Sequence, residues 1–131
     1  FAPNVTTTRA MLMTILARMD GVATTGSNPW YAKGMEWAVA EGVSDGTNPE
    51  GTITREQLAV MLYRYAGSPA VSADTLTFAD ADAVSTWAVD GVKWALPNAI
   101  LSGKSNNDLD AQGSATPAEV AQMLYNFSKI G

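Results

Sequence analysis

Three times along the chain, apolar residues fall 4, 7, 8 and 11 positions after a threonine. After Thr8 they are Leu12, Ile15, Leu16 and Met19. After Thr54 they are Leu58, Met61, Leu62 and Tyr65, and after Thr116 they are Val120, Met123, Leu124 and Phe127. This is the i, i+3, i+4, i+7 spacing of one buried helix face, so each threonine opens an amphipathic helix. The middle copy carries the start signals in full. Thr54 fits an N-cap, and Gln57 three residues on can reach back to the cap's own N–H as in a capping box. Ile53 and Leu58 can close a hydrophobic staple across it. Three matching registers make this an internal repeat.

A second kind of helix precedes two of the three copies. Pro29-Trp30 opens one that contains Met35, Trp37, Ala38 and Val39 and stops at Gly42. Its partner lies 57 residues later, where Trp87 matches Trp30, Gly91 matches Gly34, Trp94 matches Trp37 and Gly103 matches Gly46. The unit is a tryptophan-led helix, a glycine-containing loop that starts at Val43-Ser44-Asp45-Gly46 or Ile100-Leu101-Ser102-Gly103, and a threonine-capped helix. Pro97 falls in the last turn of the second tryptophan helix and should end it early. The predicted architecture is one all-α domain of two-helix repeats with long loops. It comprises the second half of a first repeat (1–20), a second repeat (28–67) and a third (78–131). Sheet is expected only as very short pairings near Val5 or Phe78.

The first copy has no tryptophan helix ahead of it. Its stripe Leu12, Ile15, Leu16 and Met19 would then lack a facing helix, and each large side chain left in water forfeits about 1.5–3 kcal/mol. Three fillers are conceivable: a helix cleaved from the parent protein and still bound, a second copy of the chain, or the Tyr65–Trp87 linker folded over the stripe. The chain opens on Phe1 without methionine or signal peptide, which reads as a processed or excised piece.

Composition narrows the function classes. At 131 residues, 47% hydrophobic and 16% charged, the chain has the size and make-up of one folded domain. A net charge of −5 argues against an electrostatically driven nucleic-acid binder and against a polybasic membrane-surface anchor. No apolar run approaches the roughly 20 residues of a membrane span. With no cysteine and no histidine, thiolate sites, disulfides, the commonest general base and the commonest zinc ligand are all missing. Neither a Gly-x-Ser-x-Gly elbow nor a phosphate loop occurs, and no carboxylate pair stands out among the 13 acids, so an enzyme is not expected. The pairs Asp80/Asp82 and Asp108/Asp110 lack the regular spacing of an EF-hand loop and read as caps or turn carboxylates. No metal or other cofactor is assigned.

The spaced elements Phe1-Ala2-Pro3-Asn4 with Thr8-Arg9-Ala10, Trp30-Tyr31 with Ser44-Asp45-Gly46, Ile53-Thr54-Arg55-Glu56, and Phe78-Ala79-Asp80 with Trp87 together resemble the S-layer homology domain family. The resemblance covers nearly the whole chain. It implies tandem repeats, typically three, in a pseudo-three-fold helical spindle. It also implies a non-covalent anchor for surface proteins on secondary cell-wall polysaccharide, often one bearing pyruvylated sugars, and hence a place on the bacterial cell wall. The family's motif runs Thr-Arg-Ala-Glu, with its arginine in grooves between repeats that receive the acidic glycan. Carried over, this points to Arg9 and Arg55. The third copy has Pro117 at that position, and the glutamate is replaced by Met11 in the first copy and by Gln57 in the second.

The residues themselves give partial support. An arginine in a first helical turn is not placed there by the helix dipole, which prefers negative charge at that end. A guanidinium fork suits carboxylate, and first-turn N–H groups could serve the same anion. The alternative is a solvated arginine, or one paired with a nearby acid such as Glu56. Trp30 and Trp87, at helix starts near the loops, could stack on sugar rings or pack into the core, whereas Trp37 and Trp94 read as core. Asp45, Gly46 and Trp30 are expected to line the groove beside Arg55, with Trp87 and Gly103 as their repeat equivalents. A runner-up function is a degenerate module working in protein–protein contacts or surface-layer assembly.

Overall fold

The computed structural model describes residues 8–26, 31–71, 83–98, 100–101 and 109–129. Among them the fold is all-α. Helices α1 (Arg9–Met19), α3 (Arg55–Tyr65) and α5 (Pro117–Ser128) are the threonine-capped ones. Helices α2 (Ala32–Ala40) and α4 (Val89–Ala95, entered through a 3-10 turn at Thr86–Ala88) are the tryptophan helices.

All three caps form. The hydroxyl oxygens of Thr8, Thr54 and Thr116 accept from the backbone N–H of Met11, Gln57 and Glu119 at 3.1–3.2 Å. Gln57 and Glu119 return the bond, accepting from the cap N–H at 2.9 and 3.0 Å. In the first copy the Met11 sulfur takes that role at 3.5 Å, a weak acceptor in the same place. The stops agree with the sequence as well. Gly21 and Gly42 follow α1 and α2 in the left-handed region at φ 85° and 73°, and α4 ends at Ala95, two residues before Pro97.

The capped helices α1 and α3 each pack beside the tryptophan helix that follows, and a glycine sets the distance. A Cβ on Gly34 would stand 2.8 Å from the Thr14 Cα in α1, and one on Gly91 would stand 2.9–3.0 Å from the Cγ2 and Cα of Val60 in α3. Thr14 and Val60 each lie six residues after their cap, so the two crossings are equivalent. This explains why α1 is buried on more than the face seen in the sequence. Ala10, Met13 and Ala17 are fully covered together with Leu12 and Leu16. Ile15 is half-buried, and Met19 stays 47% exposed. The first two expected fillers, a cleaved helix or a second copy, are therefore not needed to bury Leu12 and Leu16, which this chain covers by itself. The linker named as a third filler falls mostly at 72–82, outside the described residues.

Trp37 and Trp94 are core residues, 9% and 7% exposed. Their rings meet Tyr65 and Phe127, the last apolar positions of the second and third stripes, edge-on at 5.6 and 6.1 Å. Such contacts add about 0.5–1.5 kcal/mol each beyond burial. Asp20 accepts from the Trp37 indole N–H at 3.0 Å.

Neighbouring repeats are also tied through backbone. Isolated bridges pair Thr8 with Thr52 and Thr54 with Ser114. Arg9 N and Ala10 N donate to Gly51 O and Pro49 O at 3.0 and 2.7 Å, and Arg55 N and Glu56 N donate to Gly113 O and Ala111 O at 2.9 and 2.8 Å. The loop leading into one capped helix thus closes the N-terminus of the capped helix before it. Val5 and Phe78, where short pairings were expected, lie outside the described residues.

The glycine crossings yield a stability prediction. Gly34→Ala and Gly91→Ala place a methyl against helix backbone and should each cost about 1–3 kcal/mol, as overpacking does. Urea denaturation of the two variants checks this, and midpoints equal to wild type would refute the crossing account.

Candidate functional site

Arg9 is the first residue of α1, and its side chain is 16% exposed. Its Nη2 lies 3.4 Å from Asp45 Oδ1, a long contact to a carboxylate that is 68% exposed. Its Nε is buried and has no hydrogen-bond partner. Asp45 belongs to the loop after α2, where Gly46 turns the chain at φ 76° and the Ser44 hydroxyl accepts from Gly46 N at 3.2 Å. Thr47 holds the carboxylate, its backbone N–H donating at 3.0 Å and its hydroxyl at 2.7 Å to Asp45 Oδ1. These two bonds keep the Asp45 carboxyl below its ordinary value against the opposing effect of burial, and the Arg9 charge adds a lesser contribution in the same direction.

Arg9 and Asp45 open onto a cavity of about 410 Å³ whose other polar walls are Ser44, Thr47, Gln57 and Arg64, with Val43, Val60 and Met61 as apolar floor and Trp87 at one side. Trp87 is 53% exposed and sits in the 3-10 turn. That turn is held from α3: the buried Glu56 carboxylate accepts from Ser85 N at 3.0 Å and from the Ser85 hydroxyl at 2.5 Å. Two guanidinium groups against one carboxylate give this wall a positive excess on a chain whose net charge is −5. A cationic fork, hydroxyls and a half-open indole face are suited to an anionic, hydroxylated ligand with some apolar surface.

Arg55, the equivalent arginine, is placed differently. Its side chain is 5% exposed, forms an ion pair with Glu119 from α5, and donates through Nε to Leu109 O at 3.1 Å. The cavity beside it measures about 100 Å³ and includes Ile100, Leu101, Gln122 and Asn126.

The structure thus brings together Arg9, Asp45 and Trp87 of the sequence-predicted residues, with Gly46 in the same loop. It corrects their pairing. Asp45 and Gly46 lie beside Arg9 and not beside Arg55, because each capped helix takes its N-terminal partners from the following repeat. The first-turn N–H groups expected to serve an anion are also already engaged, by Gly51, Pro49 and the Thr8 hydroxyl in α1 and by Gly113, Ala111 and the Thr54 hydroxyl in α3. Trp30, Gly103, Asp80, Asp82 and Asp108 lie outside the described residues. Thr47, Gln57, Arg64 and the positioning role of Glu56 are additions from the structure. For Gln57 a signal existed in its place three residues after the cap, whereas for Arg64, ten residues after it, no motif gave one. Among the described residues no group of three or more acidic side chains could hold a metal ion, and no helix is long and apolar enough to cross a membrane.

Comparison with known proteins agrees with this architecture. The family model for the S-layer homology domain matches residues 24–59 and 77–121. The chain is 30% identical over 144 aligned residues to an amylopullulanase of Thermoanaerobacterium thermosulfurigenes, and 28% identical over the same length to the exoglucanase XynX of Acetivibrio thermocellus. Each alignment covers 97% of this chain but only 8% and 13% of those proteins, so the chain spans a small fraction of their length. Two matched segments that contain both tryptophan helices, and alignments that run along nearly the whole of this chain, place it in the S-layer homology domain family, non-catalytic modules that generally anchor surface proteins to the cell wall.

Proposed function

We propose that this domain tethers a bacterial surface protein by binding an acidic secondary cell-wall polysaccharide in the Arg9 cavity. The observation that carries the reading is the state of Arg9: a guanidinium at the wall of a 410 Å³ cavity, with a buried unpartnered Nε and only a long contact to an exposed carboxylate. An acidic substituent, such as a pyruvate ketal, would take the Arg9 fork in place of Asp45. Arg64 adds charge, Thr47 and Ser44 face sugar hydroxyls, and Trp87 offers its ring to a pyranose face. Arg55 has a structural part here, joining α3 to α5 through Glu119.

A module acting in protein–protein contacts is the second reading, and the closure of the Arg55 groove by Glu119 is what favours it. Silence toward wall polysaccharide combined with concentration-dependent association would decide for it.

The two arginines separate in a paired test. Arg9→Ala should weaken binding of purified acidic wall polysaccharide about tenfold or more, the worth of a charge-assisted hydrogen bond. The Asp45 ion pair it removes should account for less than about 1 kcal/mol of folding stability, because Asp45 is 68% exposed. Arg55→Ala should cost about 2–3 kcal/mol, short of the ~3–5 of a fully buried pair because Glu119 keeps 25% of its surface. Calorimetric titration and urea denaturation read the two effects. Equal binding by wild type and Arg9→Ala would overturn the assignment.

Binding should also be flat between about pH 5 and pH 8, because the chain has no histidine and arginine stays charged throughout. Asp45, with its carboxyl held below the ordinary 3.8, stays ionised over that range. Its contribution to stability is lost only as pH falls through that lowered value, which places the acid-induced change at Asp45 below the window. A midpoint near neutrality would contradict a site made of Arg9, Arg64 and Asp45. Salt should weaken binding, since the cavity is open to solvent.

A further inference from the structure

Arg9 does not meet the cavity as an unbalanced charge, since Asp45 Oδ1 stands 3.4 Å from its Nη2. An acidic group that takes the Arg9 fork replaces one carboxylate by another, and the exchange alone adds little net attraction. The positive excess of the wall belongs to Arg64. Its side chain lines the same cavity, the residue is exposed, and among the described residues it makes no ion pair. Helix periodicity brings it there. Gln57, Val60, Met61 and Arg64 follow Thr54 by 3, 6, 7 and 10 residues and line the cavity along one face of α3. At 1.5 Å per residue, the row runs about 10 Å from Gln57 to Arg64. The same four positions after Thr116 line the cavity beside Arg55, where the row ends in Asn126. A neutral side chain at this place is therefore compatible with the fold.

A cation in the last helical turn also suits the helix dipole, and α1 carries Arg18 at the same distance from its cap. Arg18, however, lines neither cavity and donates through Nε to the Thr24 hydroxyl at 2.6 Å. The dipole accounts for a charge at both helix ends but not for the opening of Arg64 alone onto the cavity. We infer that Arg64 is a specificity-determining residue of this site. It supplies the positive charge not already balanced within the protein, and through it the cavity prefers a polymer bearing acidic substituents to the same polymer without them. This rests on the reading of that cavity as the polysaccharide site.

The test titrates the intact chain with purified wall polysaccharide, native and after mild-acid removal of its acidic substituents. Wild type should bind the native polymer more tightly than the stripped one. Arg64→Gln keeps a good helix former at an exposed position, so the fold is retained. It should weaken binding of the native polymer about fivefold at low salt and leave the stripped polymer within about twofold. At about 1 M salt, where screening acts within about 3 Å, wild type and Arg64→Gln should converge. Arg64→Lys keeps the charge and should keep the preference. Arg18→Gln removes the same last-turn charge from α1, outside the cavity, and should keep it too. A preference that Arg64→Gln leaves unchanged, or a loss equal for both polymers, overturns the role of Arg64 alone. So does an equal loss of preference in Arg64→Lys or in Arg18→Gln. A wild type silent toward both polymers, or binding both alike, overturns the acidic-polysaccharide reading itself, and this inference with it.

Discussion

An α-helix begins with N–H groups that have no partner inside the helix, and in this chain the next repeat supplies the missing acceptors. Gly51 and Pro49 close α1, and Gly113 and Ala111 close α3. Because these are backbone bonds, they fix the loop of one repeat over the N-terminus of the previous capped helix whatever the side chains are. The position of the binding groove follows from this. A residue next to the cap of one unit faces the loop after the tryptophan helix of the following unit, so Arg9 meets Asp45. The helix ends are consequently closed to anions, and selectivity passes to side chains.

The glycine crossings work with that constraint. Thr14 against Gly34 and Val60 against Gly91 bring α1 and α3 into backbone contact with α2 and α4. The indoles of Trp37 and Trp94 then fall within reach of Tyr65 and Phe127. Trp87, at the start of its helix, is instead led to the surface by the Glu56–Ser85 bonds. Two tryptophans in one helix thus have separate roles, Trp94 in the core and Trp87 at the cavity wall.

The repeat, the caps, the helix stops and the early end at Pro97 were legible in the sequence, since each depends on local chemistry within a few residues. So was the core role of Trp37 and Trp94. The pairing of Asp45 with Arg9 was not, because it depends on which repeat closes which helix, a long-range relation that periodicity does not carry. Nor was the fate of Arg55. Its partner Glu119 is 64 residues away, and Gln57 and Glu119 look alike as capping residues. Only their second terminal atom differs, and that atom matters only once the neighbouring arginine is in place. The burial of Ala10, Met13 and Ala17 was missed for a related reason: a single stripe was assigned to α1, where packing against α2 covers a second one.

The central claim is that the acidic polymer occupies the groove at Arg9. Nuclear magnetic resonance of the intact chain, titrated with fragments of native wall polysaccharide, tests it most directly. The account predicts shifts concentrated at Thr8–Met11, Ser44–Thr47, Arg64 and the Trp87 indole N–H. Shifts centred instead on Arg55, Gln122 and Asn126, with the Arg9 groove unaffected, would contradict it.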